Sequence, residues 1–289
     1  MIDLETKSGS PQKPHVFETR AMATMYQIFI RHEDKGYASQ AAQDAFDLLY
    51  DLEQELSYYI SNSDVTIFNQ TEKGKTIRIG EHAWNCARIC EDLYKLTKGL
   101  YDPTVGHFKH GAKPLKKFRG LGWATDPEKN GLILKQEDVQ MDLGGMGKGY
   151  ALDQLALILD DWDIHDFLIH GGRSSVLTSG SMDEGGEGWP VSLSLVGDGK
   201  IDTLNLKDES MSSSGILKGD HIIDPATGES IKESRATWII GPNAAVTDGL
   251  STALMMMPTS DIKKLIKKRE SYKVIVRLDK KKKVEYYGF

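Results

Sequence analysis

Apolar residues recur at helical spacing through the first part of the chain, then give way after Trp162 to short runs of strand character separated by turn residues. Ala45, Leu49, Leu52 and Leu56 share one face of a helix that Ser39 is expected to cap, and Ala83, Cys86, Cys90 and Leu93 repeat the device over residues 81–98. That second stripe falters at Thr97, so Leu96 is expected to replace it in the core, and Gly99 stops the helix. A strand over residues 25–31 precedes both, and a third helix begins within 144–149 and runs through Leu152, Leu155 and Leu159 to Trp162. Strands are then expected at 174–178, 191–196, 201–206 and 237–240, helices at 247–257 and 260–268, and a terminal hairpin at 272–277 and 284–287. Helices gathered early and strands gathered late imply an α+β fold, not a doubly wound sheet.

The 289 residues allow one large domain or two. No repeat, low-complexity tract or linker divides them, and the glycine-rich stretch 179–188 reads as a loop, so residues 20–289 are expected to form a single domain behind a flexible polar leader, residues 1–19. At 39% hydrophobic and 27% charged, the chain can bury a core and is not expected to be disordered. A net charge of −6, with one isolated lysine run at 280–283 in an expected turn, argues against nucleic-acid binding. Cys86 and Cys90 stand four apart on one helical face, which suits core packing and not a disulfide. Residues 1–14 lack an apolar run of signal or anchor length, so no membrane segment is expected and the chain as written reads as cytoplasmic, or exported if a signal was trimmed.

Four segments could carry chemistry. Asp142-Leu143-Gly144-Gly145-Met146-Gly147-Lys148-Gly149-Tyr150 opens a helix with small residues and one ammonium, which suits a diphosphate at the helix N-terminus or simply a tight strand-to-helix turn. Its spacing is neither that of a P-loop nor that of the dinucleotide fingerprint. Asp248 and Thr252, four apart, could offer carboxylate and hydroxyl oxygen to Mg²⁺, or could cap a helix. His221 precedes an Asp224-Pro225 turn on an expected strand, where it could accept a proton or serve only as a structural ring. Tyr101 and Asp102 could bracket a heterocycle, or Asp102-Pro103 could merely turn the chain.

In order and spacing these segments, together with Arg20-Ala21-Met22-Ala23-Thr24, residues 56–69, His170-Gly171-Gly172 and Ser213-Ser214-Gly215, resemble the ApbE-type FAD:protein FMN transferases, flavin transferases that attach FMN to a Thr or Ser of a partner protein. The resemblance spans about residues 20–289 and implies a T-fold-like architecture, helices packed on largely antiparallel sheet. It implies Mg²⁺ held by Asp248, Thr252 and the carbonyl of Gly145, with FAD as substrate contacted by Met22, Tyr59, Leu100, Tyr101, Asp102, Asp142, Lys148 and Ile222, and His221 as the catalytic histidine. The chain departs from the family in three places: Ala23 stands where Gly is usual, Arg173-Ser174-Ser175 replaces a more usual acidic residue, and only residues 216–220 separate the Ser-Gly pair from His221.

The reaction so implied moves FMN from FAD to an acceptor protein's hydroxyl and releases AMP. Two rivals share the same residues. Water could replace the acceptor, giving an FAD pyrophosphatase, or FAD could be bound without turnover.

Overall fold

The computed structural model describes residues 13–105, 120–129, 131–137, 139–195, 199–215, 222–231, 235–278 and 283–289. In chain order the first half contains β1 (His15–Ala21), β2 (Thr24–Ile30), α1 (Lys35–Leu56), α2 (Asp64–Asn69), β3 (Thr76–Arg78), α3 (Glu81–Thr97), β4 (Trp123–Asp126), β5 (Gly131–Leu134) and α4 (Gly147–Asp161). The second half adds β6 (Phe167–Gly171), β7 (Ser175–Ser179), β8 (Trp189–Leu195), β9 (Gly199–Leu206), β10 (Ser210–Gly215), β11 (Arg235–Gly241), α5 (Ala244–Leu254), α6 (Thr259–Lys268), β12 (Lys273–Leu278) and β13 (Lys283–Tyr287).

Eight strands make one antiparallel sheet in the order β1-β2-β6-β7-β10-β11-β12-β13. Alternation along each strand sends side chains to two different cores. Ile28, Phe167, Ile169, Ile239, Val274 and Val276 join the helices, whereas Leu168, Trp238, Ile240 and Ile275 meet Trp189, Val191, Leu193 and Leu206 of the separate β8–β9 hairpin. Helices therefore cover one face of the sheet and a two-stranded flap covers the other. The α+β architecture expected from the sequence is present, and a small third sheet, β3-β5-β4, sits beside it.

Several local expectations are corrected. Residues 15–19, assigned to a flexible leader, belong to β1, which pairs along its whole length with β2. The cap of α1 is Asp34, not Ser39: its carboxylate accepts from Gly36 N–H at 2.7 Å and Tyr37 N–H at 3.1 Å. Thr97 does occupy the core, because its hydroxyl is satisfied twice, donating to Leu93 O at 2.7 Å and accepting from Tyr101 N–H at 2.9 Å. The left-handed residue that ends α3 is Lys98, followed by Gly99 at φ +85°.

The turn between β1 and β2 is built on Met22 and Ala23 at φ +49° and +57°. A two-residue hairpin that follows strand twist requires that conformation, which glycine adopts more easily than the Ala23 present here. The turn is held from outside: Glu53 of α1 accepts from Met22 N–H at 2.7 Å, and Tyr26 O–H donates to Met22 Sδ at 3.3 Å.

Candidate functional site

The glycine turn is tied down before it opens into α4. Asn69 grips the preceding backbone on both sides, accepting from Met141 N–H at 2.7 Å and donating to Met141 O at 3.0 Å. Asp142 N–H donates to Pro103 O at 2.8 Å, which joins this turn to the segment after Leu100, and the Asp142 carboxylate accepts from Gly144 N–H at 2.8 Å to start a 3-10 turn, Leu143–Gly145. The first turn of α4 follows with no side-chain cap from its N-cap residue, Met146. Its N–H groups are the ready-made anion donors expected from the sequence.

Asp248 is the fifth residue of α5, so it does not cap its own helix; the N-cap position belongs to Asn243. Its carboxylate is buried, at 4% exposure, and reaches across to α4 and β7. Oδ2 accepts from Gly149 N–H at 3.1 Å and from the Lys148 ammonium at 3.2 Å, while Oδ1 accepts from Ser175 O–H at 3.1 Å. Asp153 of α4 returns the favour, accepting from Ala244 N–H and Ala245 N–H at 2.8 Å each. Each helix thus supplies a carboxylate that accepts from the other's first turn, from Gly149 N–H in α4 and from two N–H groups in α5. At the far end, Arg235 of β11 donates to the carbonyls of Leu254 and Met257 at 3.0 and 2.8 Å, so α5 is held at both termini by charges of the favourable sign.

Burial pushes the Asp153 carboxyl up to about 6, with the two backbone N–H groups opposing that rise and Asp248 adding to it. A folded-state value above the unfolded 3.8 means that neutral Asp153 is favoured by folding, so this contribution is complete below pH 4 and is lost as pH rises through about 6. Urea unfolding across pH 4 to 7 is expected to show Asp153→Asn gaining about 1–3 kcal/mol relative to wild type over that window. A pH-independent difference would refute the titration of Asp153 in the folded state.

Around this crossing the structure gathers most of the proposed metal and FAD residues. A Cβ on Gly145 would lie 3.4 Å from the Tyr101 ring and 4.0 Å from Thr252 Oγ1, and one on Gly249 would lie 3.3 Å from the same ring. Tyr101 is buried with its hydroxyl 3.5 Å from Cys90 Sγ, and burial raises both groups well above their usual values, Cys90 to about 12. Both cysteines are free and buried, as expected. Tyr26, also buried, is raised by that burial and then by the charges of Asp248 and Glu53, and its hydroxyl donates to Met22 Sδ at 3.3 Å.

The remaining residues are held by other contacts. Asp102 holds Thr104 in a turn, accepting from its N–H at 2.8 Å and its hydroxyl at 2.6 Å, and burial raises its carboxyl against those bonds. Leu100 packs on the main core. Tyr59 is 79% exposed and meets the Tyr58 ring edge-on at 5.5 Å; burial and then the charge of Asp142 raise Tyr58. Ile222 is buried in the turn 222–231, where its carbonyl accepts from Ile231 N–H at 3.0 Å, and no hydrogen bond among the described residues links it to Asp248. His221 lies outside the described residues, as do 216–220.

Among the described residues no group of three His, Cys, Asp or Glu side chains could hold a metal. Asp248, Thr252 and the Gly145 backbone instead present a sparse set of hard oxygen donors, which fits an ion that keeps water and substrate phosphate in its shell, as Mg²⁺ does. No helix among them is long and apolar enough to cross a membrane. The sequence marks none of Tyr26, Asp153 and Arg235, and Ser175 only as part of a segment that departs from the family pattern. Ser175 could have been suspected from its place beside the Gly171-Gly172 pair; the other three carry no local signal.

Fold and site together define an α+β protein in which a buried carboxylate on α5 meets the glycine-rich opening turn of α4. The chain belongs to the ApbE family, whose family model matches residues 22–276. It is 26% identical over 277 residues to a protein of Chlamydia pneumoniae named FAD:protein FMN transferase, covering 84% of this chain and 85% of that one, and 24% identical over 310 residues to the Salmonella typhimurium protein of the same name, covering 91% and 84%. Its fold matches the flavin transferase ApbE from Vibrio cholerae with a TM-score of 0.83 at 20% identity, covering 96% of this chain and 97% of that one. The ApbE protein from Thermotoga maritima matches with a TM-score of 0.82 at 22% identity, covering 95% and 97%.

Proposed function

We propose that this protein is an FAD:protein FMN transferase that moves FMN from FAD onto a Thr or Ser hydroxyl of an acceptor protein and releases AMP. The observation that carries the reading is the convergence of Asp248, Lys148, Gly149 and Thr252 where α4 crosses α5, in a chain whose named relatives are FAD:protein FMN transferases.

Asp248, Thr252 and the Gly145 carbonyl would hold Mg²⁺, which when bound offsets diphosphate charge and that of the departing phosphate. Lys148 and the N–H groups at the start of α4 other than that of Gly149 would bind and orient the diphosphate. Tyr59, with the partly buried Met22 and Leu100, would supply apolar and aromatic surface to FAD, and the buried Tyr101 and Ile222 would support that surface from within. His221 accepts the proton of the acceptor hydroxyl as its oxygen bonds to the phosphorus of the FMN half and the P–O bond to AMP breaks, a step worth roughly two to four orders of magnitude in rate.

Incubation with FAD, Mg²⁺ and a Thr-bearing acceptor domain is expected to give the mass increase of FMN on the acceptor and one AMP per event. FMN and AMP released at an unchanged rate with the acceptor unlabelled would replace transfer by hydrolysis, a reading favoured by the short segment before His221. FAD retained without AMP release would exclude both.

A further inference from the structure

Asp248 is not waiting with free oxygens. Three of its roughly four lone-pair sites are engaged: Ser175 on Oδ1, and Gly149 N–H and Lys148 Nζ on Oδ2. Two of these donors are neutral and sit on fixed backbone or a buried strand. The third is a charge on a flexible stem, with 24% of its side chain exposed against 5% for Asp248.

We infer that Lys148 is the built-in counter-ion of Asp248, occupying the cation position by itself and giving it up only when a divalent ion and a diphosphate arrive together. This inference rests on the metal reading above. A buried carboxylate without a partner is costly, and the ammonium removes that cost while the site is empty. An ammonium 3.2 Å from Oδ2 and a divalent ion on the same carboxylate repel each other, so they exclude one another. When the ammonium leaves, Ser175 and Gly149 still fix the carboxylate, and Lys148 stands in the first turn of α4, where an incoming phosphate offers it a new partner. Metal and dinucleotide binding are thereby coupled: metal alone must displace the lysine to water, whereas metal with diphosphate exchanges one ion pair for two.

The test measures Mn²⁺ affinity, from the free Mn²⁺ resonance signal, with and without FAD, for wild type, Lys148→Met, Lys148→Gln and Lys148→Arg. Gln keeps a hydrogen bond to Asp248 without charge and covers the case in which Met perturbs folding. In the absence of FAD, both neutral variants are expected to bind Mn²⁺ about tenfold more tightly than wild type or more, while their FAD affinity weakens by a similar factor. Lys148→Arg is expected to stay within about threefold of wild type in both. The enhancement of Mn²⁺ affinity by FAD should therefore shrink in the neutral variants. Mn²⁺ affinity unchanged or weakened by Lys148→Met and Lys148→Gln, in a wild type that binds the ion, would overturn the exchange and leave the metal assignment standing. Absence of Mn²⁺ binding by every variant, with or without FAD, would overturn both.

Discussion

Asp248→Asn is expected to lower metal-dependent AMP release by about a thousandfold or more, because it removes the one carboxylate in the donor set and with it most of the attraction for a divalent ion. The amide can keep these partners by turning its oxygen to Gly149 N–H and the Lys148 ammonium and donating its NH₂ to Ser175 Oγ, but it loses the charge that pairs with the ammonium. Folding stability should therefore fall as well, by about 1–3 kcal/mol, with Lys148 partly spared because it is able to reach solvent. Coupled-enzyme measurement of AMP together with urea denaturation separates the two losses. Turnover within tenfold of wild type would remove Asp248 from the metal site.

Gly149→Ala is expected to be the most damaging small substitution in the helical layer. A Cβ there would clash with the carbonyl oxygen of Ala244 and lie 2.5 Å from its carbon and 2.8 Å from Asp248 Cβ. The obstruction is backbone, so relief requires α5 to move bodily away from α4, at a cost of about 3 kcal/mol or more. Thr252 and Asp248 ride on α5, and activity should drop further than stability alone explains. Gly147→Ala, two residues earlier, meets nothing nearer than Leu143 Cβ at 3.8 Å and is expected to stay within about 1 kcal/mol of wild type. Equal denaturation midpoints for the two variants would contradict the close crossing.

Sequence reading reached the fold wherever burial wrote a strong period. The Ala45 to Leu56 and Ala83 to Leu93 stripes, the terminal hairpin and the change to strands after Trp162 all appear in the structure. It failed where the period is masked by composition. No strand is expected at the run Ser212-Ser213-Ser214, which lacks apolar alternation, yet in β10 Ser210, Met211 and Ser212 are buried and paired between β7 and β11. Their hydroxyls are spent on Gly241 O, Thr247 and, from Ser214, Ser251, so a polar strand becomes a seat for α5.

The site was legible to the extent that its residues lie in short motifs. Lys148 and Asp248 were each marked by spacing, but their ion pair spans 100 positions and no local pattern predicts it. Asp153 shows the same limit: it sits inside an ordinary amphipathic helix, and only the fold reveals that it faces another helix's amide groups.

Because α4 and α5 complete one another's opening turns, neither terminus can unravel by itself; releasing one strips a carboxylate from the other. The opening turn of α4 and the arm bearing Asp248 consequently stiffen and loosen as a single mechanical piece.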